Sequence, residues 1–306
     1  MNHEQVGVVG LGLLGRGIAA CFLRQGFGVV GLTPTEAEHA SARSEIAKMM
    51  ASIDDWERRF EAVTDFERLE KCTFVVESVP EDLATKLAVL DALEKVIEPT
   101  VIIASNTSAI PISVLQQSRK YPQRMVGMHW AEPAHATRFL ELIRGDQTSA
   151  AAFDATLAMG RRLGKEPIAC QKDVPGFIVN RIAYAMYREA CYLIEAGVAD
   201  ADSIDRSLRN SLGLWASICG PLRWIDITGG PALYARAMER VLPTLSNSAT
   251  IPRVLSELAE SGAAGITNGR GFYRYTPEES QEWHDRYHRH VIEVAKLQDR
   301  EFPLKE

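Results

Sequence analysis

Apolar and polar positions alternate in blocks along the first half of the chain. Gln5–Val9 is a short β-branched run that leads into glycine, and Leu13–Arg24 follows with Leu14, Ile18, Ala19 and Phe22 at helical spacing. Gly28–Leu32 reads as a second buried strand, closed by Thr33-Pro34, and the charged stretch over residues 36–59 is helix-compatible. A strand over 73–76, a helix over 82–97 and a strand over 101–104 repeat the alternation. Residues 125–128 and Phe139–Ile143 read as further short strands. Continuous apolar strands between helices predict a mainly parallel sheet covered on both faces.

The pattern changes near residue 175. Cys170 to Gly176 has linker chemistry, and Pro175 suits the first turn of a helix. From Phe177 to Glu195 the spacing is helical, and the remainder is largely helical with Gly and Pro interruptions. No internal repeat or low-complexity tract occurs. A chain of 306 residues is long for one core. Two domains are therefore expected, α/β over residues 1–175 and mostly α-helical over 176–306.

The turn after the first strand carries Gly10-Leu11-Gly12-Leu13-Leu14-Gly15, a G-x-G-x-x-G hexamer between a strand and a helix. Gly10 permits the tight turn, Gly12 lets backbone approach a pyrophosphate, and Gly15 lets helix pack on strand. The helix N-terminus at Leu13 and Leu14 then offers unpaired N–H groups to phosphates. A tight strand–helix turn in any α/β fold is the bland alternative. With this loop the first domain reads as a Rossmann-like doubly wound sheet. An acidic residue usually holds the adenine ribose at the end of the second strand, and Thr33 stands there instead. Its hydroxyl would not repel a 2′-phosphate, which leaves NADP open. No Arg or Lys lies between Gly26 and Ala42 to bind that phosphate, so NAD is favoured.

Charge narrows the partners. A net charge of -6 argues against nucleic acid or an anionic membrane, each of which needs a basic face. The five cysteines are scattered, with no C-x-x-C pair, and suit free thiols in a reducing compartment. Glycines and Arg16 interrupt the apolar stretch from Val6 to Leu23, and no basic segment precedes it. These features predict a cytoplasmic protein with a small-molecule substrate.

His129 follows an apolar strand, where a core histidine and an acid–base residue are equally good readings. Glu141 alternates with Phe139 and Leu140 on an apolar strand, where a buried carboxylate needs a partner, and His129 is the obvious one. His129, Glu132 and His135 do not make a metal site, because Pro133 breaks their spacing and no Cys is near. His284 and His288 read as part of a solvated helix face.

By Ser105-Asn106-Thr107-Ser108 and Gly127-Met128-His129-Trp130 the sequence resembles the L-3-hydroxyacyl-CoA dehydrogenase family. The glycine loop, Val76 to Asp82 with Lys86, Pro133, Glu141, Pro175 to Arg181 and Gly271 to Tyr275 fall in the family's order. The resemblance implies a Rossmann-like domain, a helical dimerisation domain and hydride exchange between an L-3-hydroxy compound and NAD. It implies His129 as the catalytic histidine, Glu141 as its orienting carboxylate, and Ser108 and Asn180 at the reacting oxygen. Glu81, Lys86 and Asn106 are implied near the cofactor. Capping of a following helix is the bland reading for Ser108, a polar helix position for Asn180, and solvent exposure for Lys86. It also implies a homodimer through the second domain, and closure between a first domain bearing His129 and a second bearing Asn180.

The chain departs from the family at His129-Trp130-Ala131-Glu132-Pro133, where Glu132 replaces the usual Asn, and at Arg138. Both are candidate substrate residues, and Arg138 suits a free carboxylate. Leu214 to Pro221 and Asp226 to Gly230 are more similar to relatives acting on non-thioester hydroxy acids, such as gulonate and carnitine dehydrogenases. A small hydroxy acid or related polar molecule therefore ranks ahead of an acyl-CoA thioester. Two other readings are a dinucleotide-binding structural or sensory protein without turnover, and a lysine-based 3-hydroxyacid dehydrogenase. No lysine motif on a helix after residue 160 supports the latter.

Overall fold

The computed structural model describes residues 3–304. It divides into two compact units, residues 3–181 and 182–304. Asn180 falls within the first of these units.

Eight strands form one sheet in the first unit: β1 (Gln5–Val9), β2 (Gly28–Leu32), β3 (Phe60–Val63), β4 (Phe74–Glu77), β5 (Ile102–Ser105), β6 (Met125–Trp130), β7 (Phe139–Ile143) and β8 (Glu166–Cys170). Their order is β3-β2-β1-β4-β5-β6-β7-β8. The first six are parallel, β7 runs antiparallel to β6, and β8 is parallel to β7. Strand order reverses at β1, and ligands of doubly wound sheets bind at such a switch point, beyond the carboxyl ends of the strands.

Alternation along the strands builds two cores. Val6, Val8, Val29, Phe74, Val76, Met128 and Leu142 point to one face, covered by α1 (Leu13–Arg24), α2 (Ala37–Met49), α3 (Trp56–Arg59) and, further along the chain, the helix over Ala150–Arg162. Val9, Val30, Leu32, Val75, Ile103 and Ile143 point to the other, covered by α4 (Leu83–Val96) and α5 (Ile112–Leu115). The helix over Ala150–Arg162 is α6, and α7 (Val179–Glu195) carries the chain across the unit boundary. The second unit continues with α8 (Ala201–Asn210), α9 (Leu212–Ala216), α10 (Pro221–Ile227), α11 (Gly230–Val241), α12 (Arg253–Glu260) and α13 (Pro277–Glu301). No helix among the described residues is long and apolar enough to cross a membrane.

Several local expectations change. Both sheet edges, β3 and β8, are strands that the pattern does not announce. β3 is only four residues long inside a charged stretch, and β8 contains Pro167, which an edge strand tolerates. Cys170 ends β8 instead of opening a linker. Helix α7 starts at Val179, so Pro175 lies in a preceding turn and Phe177 is not helical, its φ being +51°.

Phe22 is fully buried on α1, edge-on to Phe27 at 5.4 Å and tilted against Phe74 at 6.2 Å. Phe22→Ala is expected to destabilise the first unit by about 3–5 kcal/mol, whereas Leu13→Ala, at an exposed position, changes stability by under ~0.5 kcal/mol. Denaturant titration followed by circular dichroism reads both.

Candidate active site

His129 lies within β6, not after it, and the antiparallel register sets it directly opposite Glu141 on β7. Both side chains are on the α4/α5 face of the sheet, since Met128 and Leu142 occupy the other. His129 Nδ1 is 3.0 Å from Glu141 Oε2, and both side chains are buried. A carboxylate oxygen accepts, so Nδ1 carries the proton of the neutral ring and Nε2 is left as the base. Nε2 takes no hydrogen bond among the described residues. The other Glu141 oxygen accepts from the Val179 N–H at 2.9 Å, the first residue of α7. That helix N-terminus favours a negative charge on the carboxylate. Phe139 and Phe177 wall the imidazole, each with its ring centroid 5.7 Å away.

A second buried network sits at the carboxyl ends of β4 and β5. Glu77, the last residue of β4, accepts from the Val79 N–H (2.8 Å), the Lys86 ammonium (2.9 Å) and the Ser105 hydroxyl (2.5 Å). Lys86 is fully buried; its ammonium lies 3.4 Å from Glu81 and donates to the Val79 carbonyl. Its charge lies between two carboxylates and holds them together. Glu81 in turn accepts at one oxygen from the Thr107 hydroxyl (2.6 Å) and the N–H groups of Ser108, Ala109 and Ile110. Burial pushes its carboxyl pKa up, but the bonds from Thr107 and Ala109 and the Lys86 charge outweigh this and hold it below 4.5. Glu77 escaped the sequence reading as a functional position, although a lone acid ending an apolar strand could have marked it, as it did Glu141.

The loop that Glu81 gathers carries Asn106 and Ser108. The Asn106 amide donates to the Ser78 hydroxyl at 3.0 Å and accepts from the Trp130 N–H at 3.0 Å, tying β4, β5 and β6 together. The Ser108 carbonyl accepts from Asn180 Nδ2 at 3.0 Å. Ser108 caps no helix, because α5 begins at Ile112 behind Pro111. Thus Ser108 and Asn180 are adjacent, and Glu141 reaches the start of the same helix that bears Asn180.

The glycine loop fits a dinucleotide. Gly10 has φ +93°, and a Cβ there would meet the Ser78 carbonyl oxygen at 2.6 Å. A Cβ at Gly15 would lie 1.8 Å from the Gly10 carbonyl oxygen. Around Gly12 nothing stands within 4 Å of an added Cβ. The loop is therefore closely packed against the protein at two glycines and open at the third, where a pyrophosphate would approach. Gly12 is also the N-cap of α1 and caps it with no side chain, so the N–H groups at Leu13 and Leu14 remain available. Thr33 is buried and its hydroxyl donates to the Thr35 carbonyl, which leaves its lone pairs as acceptors. Arg43, the first cation after Thr33 along the chain, donates to the Phe60 carbonyl.

Beyond β6 the segment 131–138 holds Glu132 and Arg138, both half-buried. Lys165, buried, donates to the carbonyls of Ala134 and Thr137, each at 2.5 Å, and its ammonium is 5.2 Å from the Trp130 ring centroid. Burial lowers its pKa.

Two outcomes follow from these networks. Gly12→Val should leave thermal stability near that of the unmodified chain yet weaken dinucleotide binding at least about tenfold, read by reduced-nicotinamide fluorescence. Glu81 has a lowered folded-state pKa, so its contribution is present above about pH 4.5 and is lost as pH falls through the folded value. Acid unfolding of Glu81→Gln should lack that component.

The family models for the 3-hydroxyacyl-CoA dehydrogenase NAD binding domain and C-terminal domain match residues 5–174 and 176–275. The 5-formyl-3-hydroxy-2-methylpyridine 4-carboxylate 5-dehydrogenase of Mesorhizobium japonicum is 31% identical, over 96% of this chain and 98% of that protein. A 3-hydroxybutyryl-CoA dehydrogenase of Mycobacterium tuberculosis is 32% identical, over 89% of this chain and 98% of its own. Among solved structures, a 5-formyl-3-hydroxy-2-methylpyridine 4-carboxylic acid 5-dehydrogenase, described as an NAD+ dependent dismutase, superposes with a TM-score of 0.91 at 30% identity, covering 97% of this chain and 99% of that one. With the sheet order, the glycine loop and both domain matches in agreement, the chain belongs to the 3-hydroxyacyl-CoA dehydrogenase family and is an NAD-dependent dehydrogenase.

Proposed function

We propose that the chain interconverts a secondary alcohol at the L-3 position of a small polar acid and the corresponding 3-oxo compound, with His129 as the acid–base residue. The carrying observation is the 3.0 Å contact between His129 Nδ1 and Glu141, whose second oxygen is held by the Val179 N–H. Orientation from both sides fixes which ring nitrogen meets substrate. His129 Nε2 takes the hydroxyl proton in oxidation and returns it in reduction, while Glu141 stabilises the charged imidazolium. Bound NAD supplies the hydride acceptor. Ser108 and the Asn180 amide hydrogen-bond the reacting oxygen as its charge changes, a contribution of up to about 3–4 kcal/mol by analogy with oxyanion donors. Glu77, Lys86 and Glu81 hold the Ser108 loop still.

A non-thioester substrate is supported by the similarity to the pyridine-carboxylate dehydrogenase over nearly the whole of both chains. Glu132 and Arg138 would sort the head group. The thioester reading is supported by the 3-hydroxybutyryl-CoA relative at comparable identity. The working unit is a homodimer through the second domain, a reading supported by the apolar surface that residues 182–304 expose.

A panel of 3-hydroxy acids, aromatic carboxylates and 3-hydroxyacyl-CoA thioesters, followed by absorbance of reduced nicotinamide, separates the substrate classes. On the accepted substrate, His129→Gln should lower kcat by about 10²–10⁴-fold with cofactor affinity unchanged. Cofactor binding with no turnover on any class, or full activity in His129→Gln, would overturn the proposal.

A further inference from the structure

The turn after β2 lies where doubly wound sheets hold the adenine ribose, and it departs from the usual arrangement there. The Gly10 N–H donates to the Leu32 carbonyl at 2.9 Å, so the glycine loop lies directly beside the end of β2. An acid at this point usually accepts from the ribose hydroxyls. Thr33 stands there instead and is fully buried, its N–H on the Val63 carbonyl and its hydroxyl on the Thr35 carbonyl at 3.0 Å. A charged acceptor for the ribose therefore has to come from the exposed residues that follow. Between Gly26 and Ala42 the titratable side chains are Glu36, Glu38 and His39, and the Nε2 of His39 is buried.

Thr35 singles out Glu38. Its carbonyl accepts from both the Thr33 hydroxyl and the Glu38 N–H, the latter at 3.2 Å, which folds the turn onto the start of α2. Its own hydroxyl donates to Glu38 Oε1 at 3.1 Å. One carboxylate oxygen is thus tethered, and Oε2 takes no hydrogen bond among the described residues. Glu36, the N-cap of α2, makes no capping bond with its side chain and has no such tether. Holding a group in place before a ligand arrives reduces the entropy lost on binding. A carboxylate here also does what a neutral acceptor cannot: it repels the 2′-phosphate that distinguishes NADP from NAD. No lysine or arginine in the stretch offsets it, and Arg43 beyond it is held on the Phe60 carbonyl.

We infer that Glu38, tethered by Thr35, is the coenzyme-selecting residue of this chain. It accepts from the adenine ribose of NAD and repels the 2′-phosphate of NADP, a role moved from the end of β2 into the first turn of α2. The inference concerns the coenzyme and is independent of the substrate proposed above. Fluorescence titrations with NADH and NADPH on the full chain test it without turnover. The unmodified chain should bind NADH more tightly. Glu38→Gln should narrow the NADH-to-NADPH affinity ratio at least about tenfold, weakening NADH and strengthening NADPH. Glu36→Gln should narrow it less. Repulsion between exposed charges is screened by salt, so raising ionic strength from about 0.01 M to about 1 M should narrow the ratio in the unmodified chain, a readout that needs no variant. The same salt series should leave the ratio of Glu38→Gln nearly constant. A ratio that ignores Glu38→Gln and salt, one that responds more to Glu36→Gln, or an equal loss of both coenzymes in Glu38→Gln would overturn the assignment. Failure of the hydroxy-acid reading would appear in the substrate panel and leave these affinities untouched.

Discussion

The antiparallel register between β6 and β7 is the constraint on which the candidate site depends. Parallel neighbours separated by a helix bring residues from distant parts of the sequence together, but the reversal at β7 sets His129 across from Glu141, only twelve positions further along the chain. Because strand side chains alternate in facing, a slip of one residue would turn the carboxylate into the core on the Met128 face and bring a leucine against the imidazole. Core packing on both faces therefore enforces the pairing. Apolar burial on one side of the sheet fixes the chemistry on the other.

Around that pair the protein places charge where it is internally balanced. Lys86 lies between Glu77 and Glu81, and each carboxylate also receives neutral donors. Removing one member of such a cluster leaves a buried charge uncompensated, which typically costs about 3–5 kcal/mol. The cluster's value lies in position rather than net stability. It links the ends of β4 and β5 to the loop bearing Ser108, whose carbonyl is bonded to Asn180. Segments that are separate in sequence are thereby tied to one another.

Much of this was legible in the sequence. β1, α1, β2 and β7 have the predicted bounds, because their apolar runs are uninterrupted and ended by glycine, Thr-Pro or charge. The His129–Glu141 contact was legible too, since an acid on an apolar strand demands a partner. The edge strands were not, because β3 and β8 bury few residues and so impose little pattern. Lys86 was expected near the cofactor, with a solvated helix face as the bland alternative. Its ion pairs were not legible, because a helix sequence does not reveal which charged residue turns inward, and only the two carboxylates arriving from β4 and the following turn show that. Pro175 looked like a helix start, whereas the left-handed turn at Phe177 delays the helix to Val179, so that Asn180 sits in its first turn with its amide on the Ser108 carbonyl.

Lys165 grips the segment after β6 through the main-chain oxygens of Ala134 and Thr137. Every amino acid offers that oxygen, so the anchor is indifferent to which side chains the segment displays. Replacements at Glu132, His135 or Arg138 can thus change the chemistry the segment displays without loosening the frame that presents them. The projecting groups can then be exchanged one by one while the His129–Glu141 contact on the neighbouring strands stays as it is.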